Sequence, residues 1–334
     1  MNPFTRSAAA ALTLLTAALA LTACGPEEES PSGGAVIRIG DPGNVGPLAY
    51  AKREGIFEDR LAEVGATIEW GGSYASFTAA SDALKSGDLN VQQGAVSPAV
   101  GSLASTDDLR IFIVADLVGD PAPLRDGLVV PPDSDIRTVA DLKGRRVAVN
   151  QAGKGEYLLL RALEAEGVDP DEVERVYLNP QEGAAAFASG KVDAWWAIVD
   201  AYPEAVANGA RTVVTSRDID DADLNVFVAR KDLLEEHPEA AEVFFEVLNE
   251  LIEEGRSRPE KFQNVFLDQG PTALDGDRLA ESVELTRAAT SYRYPTEEDL
   301  ARIESVAATF VDHGLLDGPV NASDIVFDLP AALD

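Results

Sequence analysis

The chain of 334 residues holds one cysteine, one methionine and two histidines. One cysteine excludes a disulfide framework and any multi-cysteine metal site. With only His237 and His313 available, most histidine-based metal and triad chemistry is excluded; both stand at expected helix ends and read as structural. No G-x-S-x-G or H-E-x-x-H motif occurs, and nothing calls for a metal or a cofactor. Positive charge is scarce. Against 58 Asp and Glu stand 27 Lys and Arg, a formal net charge of −31. Such a surface repels a polyanion, and no Lys/Arg block relieves it, so nucleic acid is excluded as a partner. The acidity fits a salt-adapted host or mere solubility and says nothing about a ligand. No apolar run reaches the roughly 20 residues that a transmembrane helix needs. What the chain has is 46% apolar residues, enough for a core, and a length that suits two domains.

The N-terminal residues read as a targeting signal. Arg6 precedes an unbroken stretch of Ala, Leu and Thr, Ala8–Leu21, the length of a signal-peptide apolar region. It ends in Leu21-Thr22-Ala23-Cys24-Gly25, with small residues before the chain's one Cys. This resembles a bacterial lipobox, in which Cys24 is acylated and becomes the new N-terminus; acyl chains then anchor the protein. Residues 1–23 are therefore expected to be the signal peptide and 24–35 a flexible acidic tether.

The body carries one supersecondary unit twice. Val36–Ile39 reads as a strand, Pro47 to about Val64 as a helix, and Thr67–Trp70 as a strand. A helix to Lys85 and a strand near Leu89–Gln92 complete the first copy. The second runs from the strand Arg146–Asn150 through a helix to about Glu166 and a strand within Val173–Asn179. A Pro180–Gly183 turn, a short helix Ala184–Ala188 and a strand near Val192–Trp196 follow. Ser86-Gly87 in one copy matches Ser189-Gly190 in the other. Alternation of this kind predicts an α/β fold with mostly parallel, doubly wound sheets in two lobes. Lobe one is expected at 36–122, lobe two at 123–223, and a return to lobe one with C-terminal helices at 224–334. Asp108–Val130 and Asn225–Ala229 read as the crossovers. Thr296 with Asp299 resembles a capping box for a late helix.

The lipobox, the two lobes and the two crossovers resemble a type II solute-binding protein of an ABC importer, with its periplasmic-binding-protein-like fold. Val139-Ala140-Asp141-Leu142-Lys143-Gly144-Arg145-Arg146-Val147-Ala148-Val149 is similar to a stretch common in such proteins. Tyr157–Leu163, Ala186-Phe187-Ala188-Ser189-Gly190 and Val192-Asp193-Ala194-Trp195 resemble the aliphatic sulfonate/nitrate/taurine-binding group. The resemblance implies a monomeric, lipid-anchored, extracytoplasmic protein that binds a small anionic ligand between its lobes. Its partners would be the ABC permease and ATPase subunits. It implies no enzyme activity. The alternatives are a fold-sharing thiamin-pyrimidine-synthase-like enzyme, whose Cys/His-rich segment has no counterpart here, and a non-transport ligand sensor.

Candidate site residues follow from the loops after the strands, where open α/β sheets bind ligands. Gly153-Lys154-Gly155-Glu156 opens the first lobe-two helix. Its free N–H groups and the Lys154 charge suit an anion. It is no P-loop, since Ala148 stands at the first Gly position, and no dinucleotide fingerprint, since Leu158 stands at the third. Glu156 has two readings: it occupies the helix end, or it selects a cationic ligand group. In lobe one, Gly43, Asn44, Ser73, Tyr74 and Ser97 are expected on three converging loops as small uncharged donors. Of Trp195 and Trp196, one reads as core and the other as a cleft wall. Asp200 either binds an amine or caps the next helix.

Overall fold

The structure is a computed structural model that describes residues 34–116, 125–219, 221, 223–270 and 273–334. The signal peptide, Cys24, the tether up to residue 33 and the expected 122/123 boundary lie outside the described residues.

Strands β1 (Val36–Ile39), β2 (Thr67–Trp70), β3 (Val91–Ala95) and β4 (Leu109–Ala115) belong to one sheet, β5 (Asp126–Val130) to a second. That second sheet continues with β6 (Arg146–Val149), β7 (Glu174–Tyr177), β8 (Ala194–Ile198) and β9 (Arg211–Val214). β10 (Asn225–Arg230) and the short β11 (Tyr292–Arg293) return to the first. The orders are β11-β4-β10-β3-β1-β2 and β7-β6-β8-β5-β9. Setting β11 aside, the two are one pattern. In each, a strand arriving from the other sheet is inserted antiparallel beside a parallel trio: β10 against β3, β5 against β8. The fold is therefore two mixed α/β lobes of the periplasmic-binding-protein-like kind.

The helices are α1 (Pro47–Glu54), α2 (Ile56–Ala62), α3 (Phe77–Ser86), α4 (Val96–Leu103), α5 (Lys154–Ala165), α6 (Pro180–Ala188) and α7 (Ala201–Ala207). After them come α8 (Lys231–Glu236), α9 (Pro238–Ser257), α10 (Gly276–Arg287), α11 (Glu297–Asp312), α12 (Ala322–Ile325) and α13 (Leu329–Leu333). Two differ from expectation. The helix expected over 47–64 breaks at Gly55, whose φ of 70° ends α1 and starts α2. The turn expected at 180–183 is instead the first turn of α6, because Asn179 and Glu182 close a capping box there. The Thr296–Asp299 box is formed as expected.

Both faces of each sheet are covered. Phe57, Phe112, Phe227 and Phe244 pack between the first sheet and α2 and α9, with Phe57 and Phe244 stacked at 5.1 Å. Phe187, Trp195, Tyr202 and Ala205 cover one face of the second sheet. A third apolar cluster joins α3 and α4 of lobe one to α5 of lobe two, with Ile303, Val306 and Phe310 of α11 packed into it. α11 lies against both α4 and α5. The lobes thus share an apolar seam beside the edge where their loops meet.

Candidate ligand-binding cleft

Two helix starts face each other across the lobes. Ser76 caps α3, its hydroxyl accepting the Ala79 N–H at 3.3 Å. Thr78 in that first turn reaches toward Gly153, the residue before α5. A Cβ on Gly153 would lie 3.1 Å from the Thr78 Oγ1 and only 1.8 Å from the Asn150 Nδ2. Gly153, the residue at the cap position of α5, has no side chain to cap it. Asn150 satisfies one first-turn donor instead, its Oδ1 accepting the Gly155 N–H at 2.9 Å. Beside it, a Cβ on Gly101 of α4 would come 2.5 Å from the Ala152 carbonyl oxygen, so the backbones touch there. Beyond the N–H groups taken by Ser76 and Asn150, the first-turn donors and the partial positive charge at both helix starts favour an anion between them.

The lobe-two charges are largely consumed within the protein. The Lys154 Nζ lies 3.3 Å from the Asp126 Oδ2, and Asp126 also accepts the Ser216 N–H and hydroxyl, each at 3.1 Å. The Lys154 charge acts on Asp223 as well. Asp223 is buried where the chain recrosses to β10. It accepts the Ser97 N–H at 2.9 Å and the Ser97 hydroxyl at 2.6 Å. Burial pushes its carboxyl up to about 6, with Lys154 and the Ser97 hydrogen bonds opposing. Next to it, Asp221 accepts the Tyr157 hydroxyl at 2.7 Å and the Asp223 N–H at 3.1 Å.

Glu156 is fully buried. It accepts the Ala152 N–H at 2.7 Å, and the Arg175 guanidinium and Tyr177 hydroxyl at 3.0 Å each. Burial raises its carboxyl above the ordinary value, against the pull of those partners. Asp200 stands exposed at the start of α7, bonded to Arg125 and making no cap bond.

In lobe one the expected loop donors separate. Ser97 is corrected: it is on no loop, because β3 passes directly into α4 and Ser97 is buried in that helix's first turn. Asn44 is a clamp. Its Oδ1 accepts the Phe266 and Leu267 N–H groups at 2.8 and 3.0 Å, and its Nδ2 donates to the Leu267 carbonyl at 2.8 Å. Gly43 is an exposed left-handed turn residue with φ 73°. Ser73 is exposed. The Tyr74 ring folds over Gly72, where a Cβ would meet its hydroxyl at 2.6 Å. Both tryptophans are buried. Trp195 packs on Phe187 and Gly183, while Trp196 joins the seam with its Nε1 lacking a hydrogen-bond partner among the described residues. Neither walls an open cleft.

The structure therefore brings Gly153, Lys154 and Gly155 to the meeting edge and adds Thr78, Gly101, Asn150, Asp126 and Asp223. Thr78 was legible as the second residue after a Ser N-cap. The two aspartates carried no local signal, since their partners are 28 or more positions away.

Similarity to known proteins accords with this architecture. The family described as NMT1/THI5 like matches residues 75–261. The taurine-binding periplasmic protein of Escherichia coli (strain K12) is 30% identical over 201 residues, 59% of each chain. The chain spans 57 to 64% of the length of the first curated relatives it matches. Among solved structures, the alkanesulfonate-binding protein SsuA from Xanthomonas axonopodis pv. citri, bound to MOPS, has a TM-score of 0.75 at 25% identity. That match covers 89% of this chain and 99% of the other. The desulfurization enzyme DSZB shares the fold, with a TM-score of 0.58 at 18% identity over 90% of this chain and 99% of the other.

Proposed function

This chain belongs to the NMT1/THI5-like family, and on that premise we propose that it is the ligand-capturing component of an ABC importer. The ligand is a small organic anion of the sulfonate class, taurine included. One observation carries the reading: the starts of α3 and α5 meet across the lobes at Gly153, where a Cβ would run into Asn150 and press on Thr78. The names of the relatives support the ligand class. The anion would be held by neutral N–H and hydroxyl donors rather than by Lys154, whose charge Asp126 already takes. That suits a cargo that must later be released, since neutral hydrogen bonds are weaker than charge-assisted ones.

The working location is extracytoplasmic. Among the described residues no helix is long and apolar enough to cross a membrane. We propose that Cys24 carries the lipid, with residues 1–23 removed and a permease and ATPase as partners. Cell fractionation of the wild type and Cys24→Ala checks this: membrane-bound wild type and soluble variant are expected.

A calorimetric and thermal-shift series with taurine, alkanesulfonates, sulfate and nitrate tests the ligand class. A ligand at 100 times its Kd adds about 2.7 kcal/mol of stability. Mass spectrometry should recover it unaltered, and X-ray scattering should show compaction as the lobes close. A chemically changed ligand would turn the reading toward an enzyme, and no response to any of these anions would overturn it.

A further inference from the structure

Beyond its start, α5 grips the connections between the lobes. Lys154, Tyr157 and Arg161 follow one another at helical spacing, on one face of α5. Each ends on an aspartate outside the helix. The Lys154 Nζ lies 3.3 Å from Asp126, the first residue of β5. The Tyr157 hydroxyl donates to the Asp221 Oδ2 at 2.7 Å, and the Arg161 Nε lies 3.5 Å from the same oxygen, on the connection from β9 to β10.

From Tyr157 the hydrogen bonds run without a break into lobe one. The Asp221 Oδ1 accepts the Asp223 N–H at 3.1 Å. Asp223 then accepts the Ser97 N–H at 2.9 Å and the Ser97 hydroxyl at 2.6 Å, in the first turn of α4. Beside that pair the Val96 N–H donates to the Leu224 carbonyl at 2.9 Å. The Tyr157 ring is buried, edge-on to Phe310 at 6.1 Å between centroids. A phenylalanine would fill the same space, and burying a hydroxyl costs free energy unless it is hydrogen-bonded. Packing therefore accounts for the ring and not for the hydroxyl, whose one hydrogen bond here goes to Asp221.

We propose that Tyr157 is a positioning residue for ligand capture: through Asp221, Asp223 and Ser97 it ties the anion-binding helix α5 to α4 across the connection on which the lobes turn. This rests on the anion-binding reading above and adds the link from that site to the hinge. With the relay intact, the connection is ordered before the ligand arrives. Without the hydroxyl, binding must order it, and affinity falls with the fraction of molecules already in the binding arrangement. No ligand contact changes, so every ligand loses the same factor.

Calorimetry, X-ray scattering and hydrogen exchange test this on the wild type, Tyr157→Phe, Asp221→Ala and their double variant, with taurine and methanesulfonate as probes. Tyr157→Phe should bind both probes about three- to tenfold more weakly, by one common factor. Its ligand-free form should be more extended than the wild type and exchange faster at the Asp223 and Ser97 amides. Saturated with ligand, it should match the wild type. The double variant should bind no more weakly than Asp221→Ala, because both changes cut one link. Ser97→Ala cuts the far end of the relay and should give the same pattern. A hydroxyl with a merely structural role would lower the melting temperatures of free and ligand-saturated protein alike and leave affinity unchanged. That result, or additive losses in the double variant, overturns the proposal while the anion reading stands. If the wild type binds neither probe, both fail.

Discussion

The two sheets repeat one strand order, β2-β1-β3-β10-β4 and β7-β6-β8-β5-β9, but their loop edges carry different chemistry. At the lobe-one edge Gly43, Ser73 and Tyr74 are uncharged, and the Asp41–Lys52 pair sits beside them. The lobe-two edge concentrates Lys154, Glu156, Asp126 and Asp200, each committed to a partner in the protein. Repetition of topology therefore did not repeat the chemistry of the edge. In the proposed site, lobe one would contribute a helix start and Thr78. Lobe two spends its charges on fixing the loop 150–156 and the crossovers, and would contribute backbone N–H groups.

The largest effect that should sharpen this contrast is on Lys154. Lys154→Met leaves Asp126 buried without its cation and should cost about 3 kcal/mol of stability by denaturant titration. Adding Asp126→Asn should restore most of it. The double variant should bind the anionic ligand within about tenfold of wild type, because no direct charge contact of about 1.5–3 kcal/mol is lost. A complete loss of binding in this stable double variant would return Lys154 to the ligand.

Next comes the glycine pair. Gly153→Ala forces Asn150 away from a Cβ that would otherwise lie 1.8 Å from its Nδ2. Overpacking of this kind costs about 1–3 kcal/mol, and ligand affinity should fall more than tenfold by calorimetry. Gly43→Ala meets no atom within 4 Å but keeps a φ of 73°. It should cost about 1 kcal/mol and leave affinity unchanged. Equal ligand effects at both positions would break the contrast between the lobes.

Asp223 adds a pH dependence. Its folded carboxyl is raised from 3.8 to about 6, so the folded state holds the proton more tightly than the unfolded state. Its stabilising contribution is complete below about pH 3.8 and is lost as the pH rises through about 6. Melting temperatures of Asp223→Asn relative to wild type should therefore rise between pH 4 and 6 and level off above. A constant difference across that window would remove Asp223 as the titrating group.

The elements with a local pattern were legible. Thr67–Trp70 stands as expected, and so does the Thr296 capping box. Such signals are contained within a few residues. Gly55 and Pro180 misled because each suits two outcomes, a helix end or a helix start. Ser97 was read as a loop donor because nothing within VQQGAVSP separates a strand-end loop from a strand running straight into a helix. At the site, Gly153-Lys154-Gly155 was found from the helix-start pattern, whereas the loss of Lys154 to Asp126 was hidden.

By itself, the sequence determined the two-lobed α/β architecture and the likeness to sulfonate- and taurine-binding proteins. Periodicity and glycine placement are local properties, and the repeat made them readable twice. Only the tertiary structure decided which charges meet each other. Lys154 with Asp126, Glu156 with Arg175, and Asp223 with Ser97 are pairs separated by 28, 19 and 126 positions. A carboxylate or ammonium acts on whatever lies within a few ångströms, and chain distance does not encode that proximity.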